Sequence, residues 1–304
     1  MIEASGISKD YSTVRALDDV SLKVGRGEIF GFFGPNGAGK TTCIKVLCGL
    51  TPSTSGEAKV MDIDVHKHPV WVRENIAIMS EEQRFYEEMT PRKYLNAFSK
   101  LTCVKGNDRV AAINKVAELA DIRGFMDRKI AQLSQGERQR VSLGRVLLAD
   151  CPLYFLDEPF EGIDIMHRRR LREYFKSYAK QGNSIFFTSH NLIEAEFIVD
   201  KFAFINRGKL IAVGTANELK DKYLAPSYLL RVSDPQKAKE MLERGMRFHT
   251  LKIIEGDVAI TLLSRRDAPQ IPKTLIQEGV DLFEMRGTGT MEEVFERIAR
   301  GGAA

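Results

Sequence analysis

The chain has 304 residues, which is long enough for a sizeable core and suggests about two domains. A hydrophobic content of 43% and a charged content of 28% are typical of a globular protein rather than a disordered or fibrous one. The net charge of +4, from 45 basic and 41 acidic residues, is too small to indicate a nucleic-acid partner.

Three further features of the sequence bear on where the protein works. No apolar run reaches the roughly 18–20 residues that a membrane helix needs. The first 11 residues have no basic lead before an apolar stretch, so they do not resemble a signal peptide. The 4 cysteines form no Cys-x-x-Cys pair, which favours small buried side chains over a metal or disulfide role. We therefore expect a cytoplasmic protein.

Short apolar segments alternate with helical ones as far as about residue 215. Four apolar segments have the character of strands in a parallel sheet covered on both faces, and they lie at 28–34, 74–79, 152–156 and 184–189. Between the second and third is a largely helical block, in which one helix starts at Pro91 and apolar spacing predicts another over 108–120. Residues 202–214 are predicted to form a hairpin that turns at 206–208.

A linker at 220–227 precedes a change of pattern. The remaining chain has the order strand, helix, strand, strand, helix, strand, with pieces at 228–232, 235–244, 251–255, 257–263, 269–278 and 281–286. A last helix is predicted over 291–298. This order predicts a small α+β domain of the split β-α-β type. Its residues do not indicate a function.

The segment Gly-Pro-Asn-Gly-Ala-Gly-Lys-Thr at 34–41 matches the phosphate-binding pattern G-x-x-x-x-G-K-[ST]. It follows a predicted strand and precedes a helix predicted over 42–48, which is the context that the pattern requires. Glycines let backbone N–H groups turn towards phosphate oxygens, and the helix N-terminus adds its positive end. Lys40 is expected to reach the terminal phosphates, and the hydroxyl of Thr41 is expected to bind Mg²⁺.

Polar side chains follow two of the predicted strands directly. Asp157 and Glu158 follow the strand at 152–156, and ligands of open parallel sheets bind beyond the carboxyl ends of strands. Asp157 is therefore expected beside the phosphate loop, where it can hold Mg²⁺, and Glu158 can act as the general base for water. A pair of solvated acids is the alternative. His190 ends another strand, and its local context alone favours a structural role over a bond to phosphate or water.

A second small-residue turn, Leu-Ser-Gln-Gly-Glu-Arg-Gln-Arg, lies at 133–140. With the other motifs, in this order, it resembles the signature sequence of the nucleotide-binding subunits of ABC transporters. The resemblance covers about residues 2–223 and implies an α/β P-loop NTPase core with a mostly parallel sheet, an antiparallel β subdomain and a helical subdomain over about 84–145. It implies an ATPase domain at 1–223 and leaves 228–304 as a C-terminal accessory α+β domain.

The resemblance also implies roles for individual residues. The loop at 34–41 corresponds to Walker A, Asp157 and Glu158 to Walker B, and 161–164 to the D-loop, which contains Asp164. His190 matches the switch histidine, and the catalytic residues are then Glu158, His190 and Lys40. The residues expected to bind ATP are Tyr11, which matches the aromatic residue that stacks on adenine, and Gly34, Pro35, Asn36, Gly37, Ala38, Gly39, Lys40, Thr41 and Thr42.

The sequence departs from the family pattern in two places. The family usually has two adjacent glycines and then glutamine, where this chain has Gln135, Gly136 and Glu137 after Ser134. The serine and Gly136 are kept, so this turn is expected to bind the phosphate of a partner's ATP, and Glu137 is expected to weaken ATP binding or to tune closure. In the Q-loop, Glu81 stands where the family has glutamine. We expect it to join Thr41 and Asp157 at Mg²⁺, with Gln83 as the alternative.

The resemblance implies a dimer, with each ATP held between the Walker loop of one subunit and the signature of the other. It predicts an energy-coupling ATPase, peripheral on the inner face of the cell membrane, that drives a separate permease docked on the helical subdomain. Residues 287–299 resemble the tail of subunits that serve ABC-2 type exporters, so we expect export. The sequence leaves the substrate open, and the second subunit is either a copy of this chain or another ATPase subunit.

Two other classes of protein fit these motifs less well. A soluble ABC ATPase that acts on ribosomes or nucleic acid is disfavoured, because the chain has one Walker A loop, one signature and no long heptad run. A P-loop kinase is disfavoured by the signature. The basic run at 167–172 has no interleaved aromatic residue and is expected to be a solvated helix face.

Overall fold

The computed structural model of the chain describes residues 1–80, 85–101, 108–149 and 151–300. By its internal contacts the chain divides into two units, Met1–Val213 and Gly214–Ala304. The helix at Ala216–Tyr223 falls in the second of them. The predicted domain limits, 1–223 and 228–304, remain predictions.

The first unit contains ten strands and seven helices among the described residues, if the strand that ends at its boundary is included. The strands are β1 (Ile2–Tyr11), β2 (Val14–Val24), β3 (Ile29–Phe33), β4 (Ser55–Val60), β5 (Ile63–Asp64), β6 (Ile76–Met79), β7 (Leu153–Asp157), β8 (Ser184–Ser189), β9 (Lys201–Asn206) and β10 (Lys209–Gly214). The helices are α1 (Lys40–Leu47), α2 (Pro69–Glu74), α3 (Pro91–Leu101), α4 (Arg109–Leu119), α5 (Gln135–Leu147), α6 (Ile165–Lys180) and α7 (Leu192–Glu196). The predicted strands, helices and hairpin all occur, with ends that differ by a few residues.

A six-stranded sheet in the order β10-β9-β3-β8-β7-β6 forms the centre of this unit. The pairs β3–β8, β3–β9, β7–β8 and β6–β7 are parallel, as the apolar strands predict. Every residue of β3, β7 and β8 is buried, because both faces of the sheet are covered. The ring of Phe186 lies 5.5 Å from those of both Phe30 and Phe155, so aromatic packing joins the three central strands.

A separate four-stranded sheet in the order β2-β1-β4-β5 is antiparallel. One face of it shares a core with α1 and with the central sheet, through side chains such as Ile7, Val46 and Phe32. This core holds the first helix turn against the end of β3, which fixes the loop between them. The helices α3, α4 and α5 pack against one another, and Gly144 of α5 allows a close approach of Leu95 and Ile122. The predicted antiparallel and helical subdomains are therefore confirmed.

The second unit contains α8 (Ala216–Tyr223), β11 (Ser227–Val232), α9 (Pro235–Gly245), β12 (Phe248–Ile254), β13 (Asp257–Leu262), α10 (Gln270–Gln277), β14 (Leu282–Gly287) and α11 (Met291–Ala299). Its strands pair antiparallel in the order β12-β13-β11-β14, which is the predicted split β-α-β arrangement. Helices α9 and α10 cover a core that includes Leu230, Leu242 and Leu275. In neither unit do the described residues include a helix that is both long and apolar enough to cross a membrane.

Candidate functional site

The phosphate-binding pattern forms a loop between the end of β3 and the start of α1. The helix begins at Lys40 rather than at the predicted 42, because Gly39 takes φ 108° at the N-cap and brings the lysine into the first turn. A Cβ on Gly39 would lie 2.5 Å from the carbonyl oxygen of Ala16, and one on Gly34 would lie 2.2 Å from that of Ile205. Only glycine fits at these two positions, so the backbone path of the loop depends on them.

The first turn of α1 is suited to an anion. It has no side-chain cap and no acidic residue, so its N–H groups and its positive end are available to a phosphate. Lys40 Nζ donates to the carbonyl oxygens of Gly34 at 2.7 Å and Pro35 at 3.2 Å, which places its charge over the loop. The other loop residues expected to bind ATP are the exposed Asn36 and Gly37, the buried Ala38 and, on α1, the half-buried Thr42.

Asp157 lies at the end of β7 and is only 4% exposed. Thr41 Oγ1 donates to its Oδ2 at 3.4 Å, and the hydroxyl of Thr188 on β8 donates to its other oxygen. Among the described residues no cationic side chain pairs with this buried carboxylate. A carboxylate and a hydroxyl side by side are hard oxygen ligands of the kind that Mg²⁺ prefers, so this pair fits the metal that the sequence predicts.

Glu158 follows with its backbone at φ 51°, and its side chain is 14% exposed. Ser189 Oγ donates to Oε2 at 3.0 Å, and His190 Nδ1 lies 2.9 Å from Oε1. Burial raises the pKa of this carboxyl above its ordinary value of 4.5, although the bonds to the histidine and the serine oppose the shift. A buried carboxylate with raised basicity, oriented on both oxygens, is chemically suited to take a proton from water.

Ser134 is the N-cap of α5, and it forms a capping box with Glu137. The serine Oγ accepts from the N–H of Glu137 at 3.2 Å, and Glu137 Oε2 accepts from the N–H of Ser134 at 2.8 Å. Arg128 pairs with the same carboxylate at 3.0 Å. These bonds lower the pKa of Glu137, with the backbone bond to Ser134 as the first cause. The unusual acid in the signature therefore has a defined structural partner.

The D-loop lies against the signature segment of the same chain. A Cβ on Gly162 would come within 2.8 Å of Gly136 Cα, so the two backbones touch at a pair of glycines. Asp164 caps α6, accepting from the N–H of Met166 at 2.9 Å and of His167 at 3.1 Å. These bonds and the imidazole of His167 lower the pKa of Asp164 to about 2. The remaining signature residue, Gln135, is the first residue of α5.

Of the remaining predicted site residues, Tyr11 lies among the described residues and Glu81 does not. Tyr11 is at the end of β1, 41% exposed, with Lys9 Nζ 5.0 Å from the centre of its ring. Glu81 and its alternative Gln83 lie outside the described residues. Sequence reasoning missed the hydroxyls of Thr188 and Ser189, although both stand at the end of a predicted strand beside His190, where the strand-end rule applies equally.

The family model for "ABC transporter" matches residues 17–161. The probable multidrug ABC transporter ATP-binding protein YbhF of Escherichia coli (strain K12) is 34% identical over 220 residues, which are 72% of this chain but only 38% of that protein. The daunorubicin/doxorubicin resistance ATP-binding protein DrrA of Streptomyces peucetius is 32% identical over 303 residues, 97% of this chain and 91% of that protein.

Solved structures agree with the fold of the first unit. An ATP-binding subunit of an ABC transporter superposes with a TM-score of 0.67 at 27% identity, covering 72% of this chain and 92% of that one. The dimeric ATP-binding cassette MJ0796, in a post-hydrolysis state bound to ADP and phosphate, superposes with a TM-score of 0.65 over 71% of this chain and 98% of that one. Its identity is 20%, so this second likeness concerns the fold alone.

Proposed function

This chain belongs to the ABC transporter family, and from that premise we propose that it is the ATP-binding and ATP-hydrolysing subunit that drives a separate membrane permease. One observation carries the proposal. A glycine loop at a helix N-terminus, a buried Asp157 bonded to Thr41, and a Glu158 oriented by His190 meet at the carboxyl end of one parallel sheet. Phosphate binding, metal binding and activation of water each have a residue there.

Binding of ATP follows from the loop and from α1. The uncapped first turn and the ammonium of Lys40 supply N–H donors and positive charge for the phosphates. Tyr11 offers an exposed ring to adenine. Mg²⁺, held by Thr41 and Asp157 and by Glu81 in the predicted set, would neutralise the charge that develops on the phosphates during transfer.

Hydrolysis needs a base for the attacking water, and Glu158 has the properties of one. Its carboxylate is buried, which raises its pKa and makes it a better proton acceptor than an exposed glutamate. Ser189 holds one carboxylate oxygen and His190 the other. Because Nδ1 of the histidine donates to Glu158, its Nε2 is left to accept from, or in the protonated ring to donate to, a group on the phosphate side.

We further infer that two subunits enclose ATP, with the signature turn of each against the nucleotide of the other. Ser134 stands at the N-terminus of α5, and Gly136 beside it keeps the turn small. A site that contacts the terminal phosphate makes ATP hold the subunits together better than ADP does, so hydrolysis opens the dimer. A cassette of the same fold is dimeric in its solved structure, which supports this arrangement.

The names of the relatives support export as the direction of transport. YbhF is described as a probable multidrug transporter protein and DrrA as a daunorubicin/doxorubicin resistance protein. We therefore place this chain on the inner face of the cell membrane, with its permease docked on the helices α3 to α5. The described residues do not indicate which substrate is transported.

The substitution Glu158→Gln tests this function directly. It keeps the shape of the side chain but removes the base, so the variant should bind ATP without hydrolysing it and should elute as a dimer from size exclusion with ATP. The matched control is the double variant Glu158→Gln with Ser134→Arg, which should bind ATP but stay monomeric. A Glu158→Gln protein that remains monomeric with ATP bound contradicts the proposal.

A further inference from the structure

We propose that Gln139 is a positioning residue for Glu158, through which the signature helix α5 controls the geometry of the chain's own general base. The proposal rests on the proposed function, since it takes Glu158 to be that base. Gln139 lies within the signature run at 133–140, but it is not one of the residues expected to bind ATP.

The contact itself is buried and polar. Gln139 is 6% exposed, and its Nε2 donates to the backbone carbonyl oxygen of Glu158 at 3.0 Å. A buried amide is costly unless it is hydrogen-bonded, so this bond is strongly favoured over an unpaired side chain. It joins the second turn of α5 to the first residue after β7, across 19 residues of sequence.

The backbone of Glu158 needs such support. Its φ of 51° lies in the left-handed region, which a residue with a Cβ occupies only when its surroundings hold it there. Its N–H donates to the carbonyl of Thr188 at 3.2 Å, and its own carbonyl accepts from the N–H of Glu161 at 3.2 Å as well as from Gln139. Of these three partners only Gln139 bonds through its side chain, so only its hydrogen bond can be removed by a substitution.

The direction of the Glu158 side chain depends on this backbone. The φ and ψ angles at Glu158 set the direction of its Cα–Cβ bond, and with it the place where the carboxylate meets Ser189 and His190. Releasing the carbonyl would let the peptide plane rotate towards a less strained conformation and move the carboxylate. A misplacement of about 1 Å at a reacting group can reduce a rate by roughly 100-fold.

A second contact joins the same two elements. The N-terminal turn of α5 touches the D-loop at Gly136 and Gly162, where a Cβ on Gly136 would lie 3.4 Å from Gly162 Cα. The segment from Glu158 to Gly162 is therefore held at one end by Gln139 and at the other by Gly136. Because Gln139 and Gly136 both belong to α5, a shift of this helix would move Glu158 as well as Ser134. Contact of Ser134 with the partner's nucleotide would then affect the position of Glu158, which acts on the nucleotide bound by the chain itself.

The substitution Gln139→Met tests the positioning role. Methionine has a similar length and fills the same space, but it cannot donate to the Glu158 carbonyl, which keeps its bond from Glu161. We expect kcat for ATP hydrolysis to fall by about 10-fold or more, while KM for ATP stays within about two-fold, because ATP is bound by other residues. A kcat within about two-fold of the unchanged protein overturns the proposal.

A matched control lies on the same helix. Ser142 is 1% exposed, and its hydroxyl has no hydrogen-bond partner among the described residues. Ser142→Ala therefore changes a buried polar side chain of α5 without touching Glu158, and it should leave kcat unchanged. If both variants lose activity in proportion to a lower melting temperature, Gln139 has a structural role only.

The substitution Gln139→Glu adds a readout that a structural role would not give. An ionised glutamate would face the Glu158 carbonyl as a second acceptor, whereas a protonated one would donate to it as the amide does. Burial favours the protonated form of such an acid. The activity of this variant relative to the unchanged protein should therefore rise as pH falls, and that of Gln139→Met should stay flat. If the relative activity of both variants is independent of pH, the proposal is contradicted.

The dimer assay separates this inference from the proposed function. The double variant Glu158→Gln with Gln139→Met keeps Ser134, Gly136 and the phosphate loop, so it should still form a dimer with ATP on size exclusion. If Glu158→Gln alone fails to dimerise, the proposed function fails whatever Gln139 does. If it dimerises and Gln139→Met hydrolyses ATP normally, only the present inference is wrong.

Discussion

Glu158 and Glu137 are two carboxylates of similar exposure whose surroundings act in opposite directions. Their side chains are 14% and 18% exposed. Burial raises the pKa of Glu158, whereas the N–H of Ser134 and the guanidinium of Arg128 lower that of Glu137. A raised folded-state pKa means that ionisation of Glu158 opposes folding, and a lowered one means that ionisation of Glu137 favours it. In the proposed function Glu158 serves catalysis at a cost in stability, whereas Glu137 stabilises the start of helix α5.

Substitution by glutamine should therefore change stability with opposite signs. Without nucleotide or divalent cation at neutral pH, Glu158→Gln should raise the melting temperature, because it removes a charge that the fold disfavours. Glu137→Gln keeps the capping geometry but loses the charge, so it should lower the melting temperature. The Glu158 difference should disappear as pH falls below the ordinary carboxyl value of 4.5, where the group is protonated in both states. The Glu137 difference should persist to lower pH and disappear only below the lowered pKa of the folded state. Thermal melts from neutral pH into the acid range measure this, and equal signs at neutral pH would contradict it.

The candidate site residues whose positions the sequence could predict were those in short, ordered patterns. The strand-end rule placed Asp157 and His190 correctly at the carboxyl edge of the sheet. It could not show that Thr188 pairs with Asp157, because that depends on the register of β7 against β8, in which these two residues are opposite each other. The strand-end rule also could not show that Glu137 caps its own helix. The family pattern concerns which residue type stands at position 137, whereas capping depends on its position three residues after Ser134.

A chain of polar side chains joins α6 to the turn after α4. His167 bridges two carboxylates, with Nδ1 2.6 Å from Asp164 and Nε2 3.3 Å from Asp121. Arg140 of the signature helix donates to the carbonyl oxygen of Asp121 at 3.0 Å and pairs with its carboxylate. The D-loop and the signature helix are thus joined through side chains as well as through their glycines. The basic run, predicted as a solvated face, serves this link and other pairs such as that of Arg172 with Glu194, 3.3 Å apart.

A double-mutant cycle measures this link. His167→Ala and Asp121→Ala each remove one partner, so the cost of the double variant should be smaller than the sum of the single costs by about 0.5 kcal/mol or more. The measurement is the free energy of unfolding in urea. The matched control pairs His167→Ala with Glu173→Ala, which removes an exposed partner of Arg169 on the same helix, and these costs should add. Additivity in both cycles would show that the imidazole does not couple the two elements.

The order of the strands and helices along the chain was more predictable than which of them pack together. Alternating apolar strands and helices predicted a parallel sheet, and the strand and helix order after residue 227 predicted the split β-α-β arrangement found in the second unit. The predicted domain limits stay predictions, and helix α8 falls in the second unit, where it packs against α11 and its Asp221 pairs with Arg265. Periodicity describes one element at a time, whereas a boundary depends on contacts between elements.

The proposed function requires a membrane permease as the partner of this chain. None of the described helices is long and apolar enough to span a membrane. Affinity purification of the tagged chain from detergent-treated native membranes should recover a protein with several apolar spans, and membranes holding the untagged chain serve as the control. Because the proposed docking surface is the helical subdomain rather than the ATP site, Lys40→Ala should recover the partner equally well. Recovery of ribosomes or nucleic acid in its place would favour a soluble ABC ATPase, and it would leave the ATP-dependent dimer intact while removing the transport function.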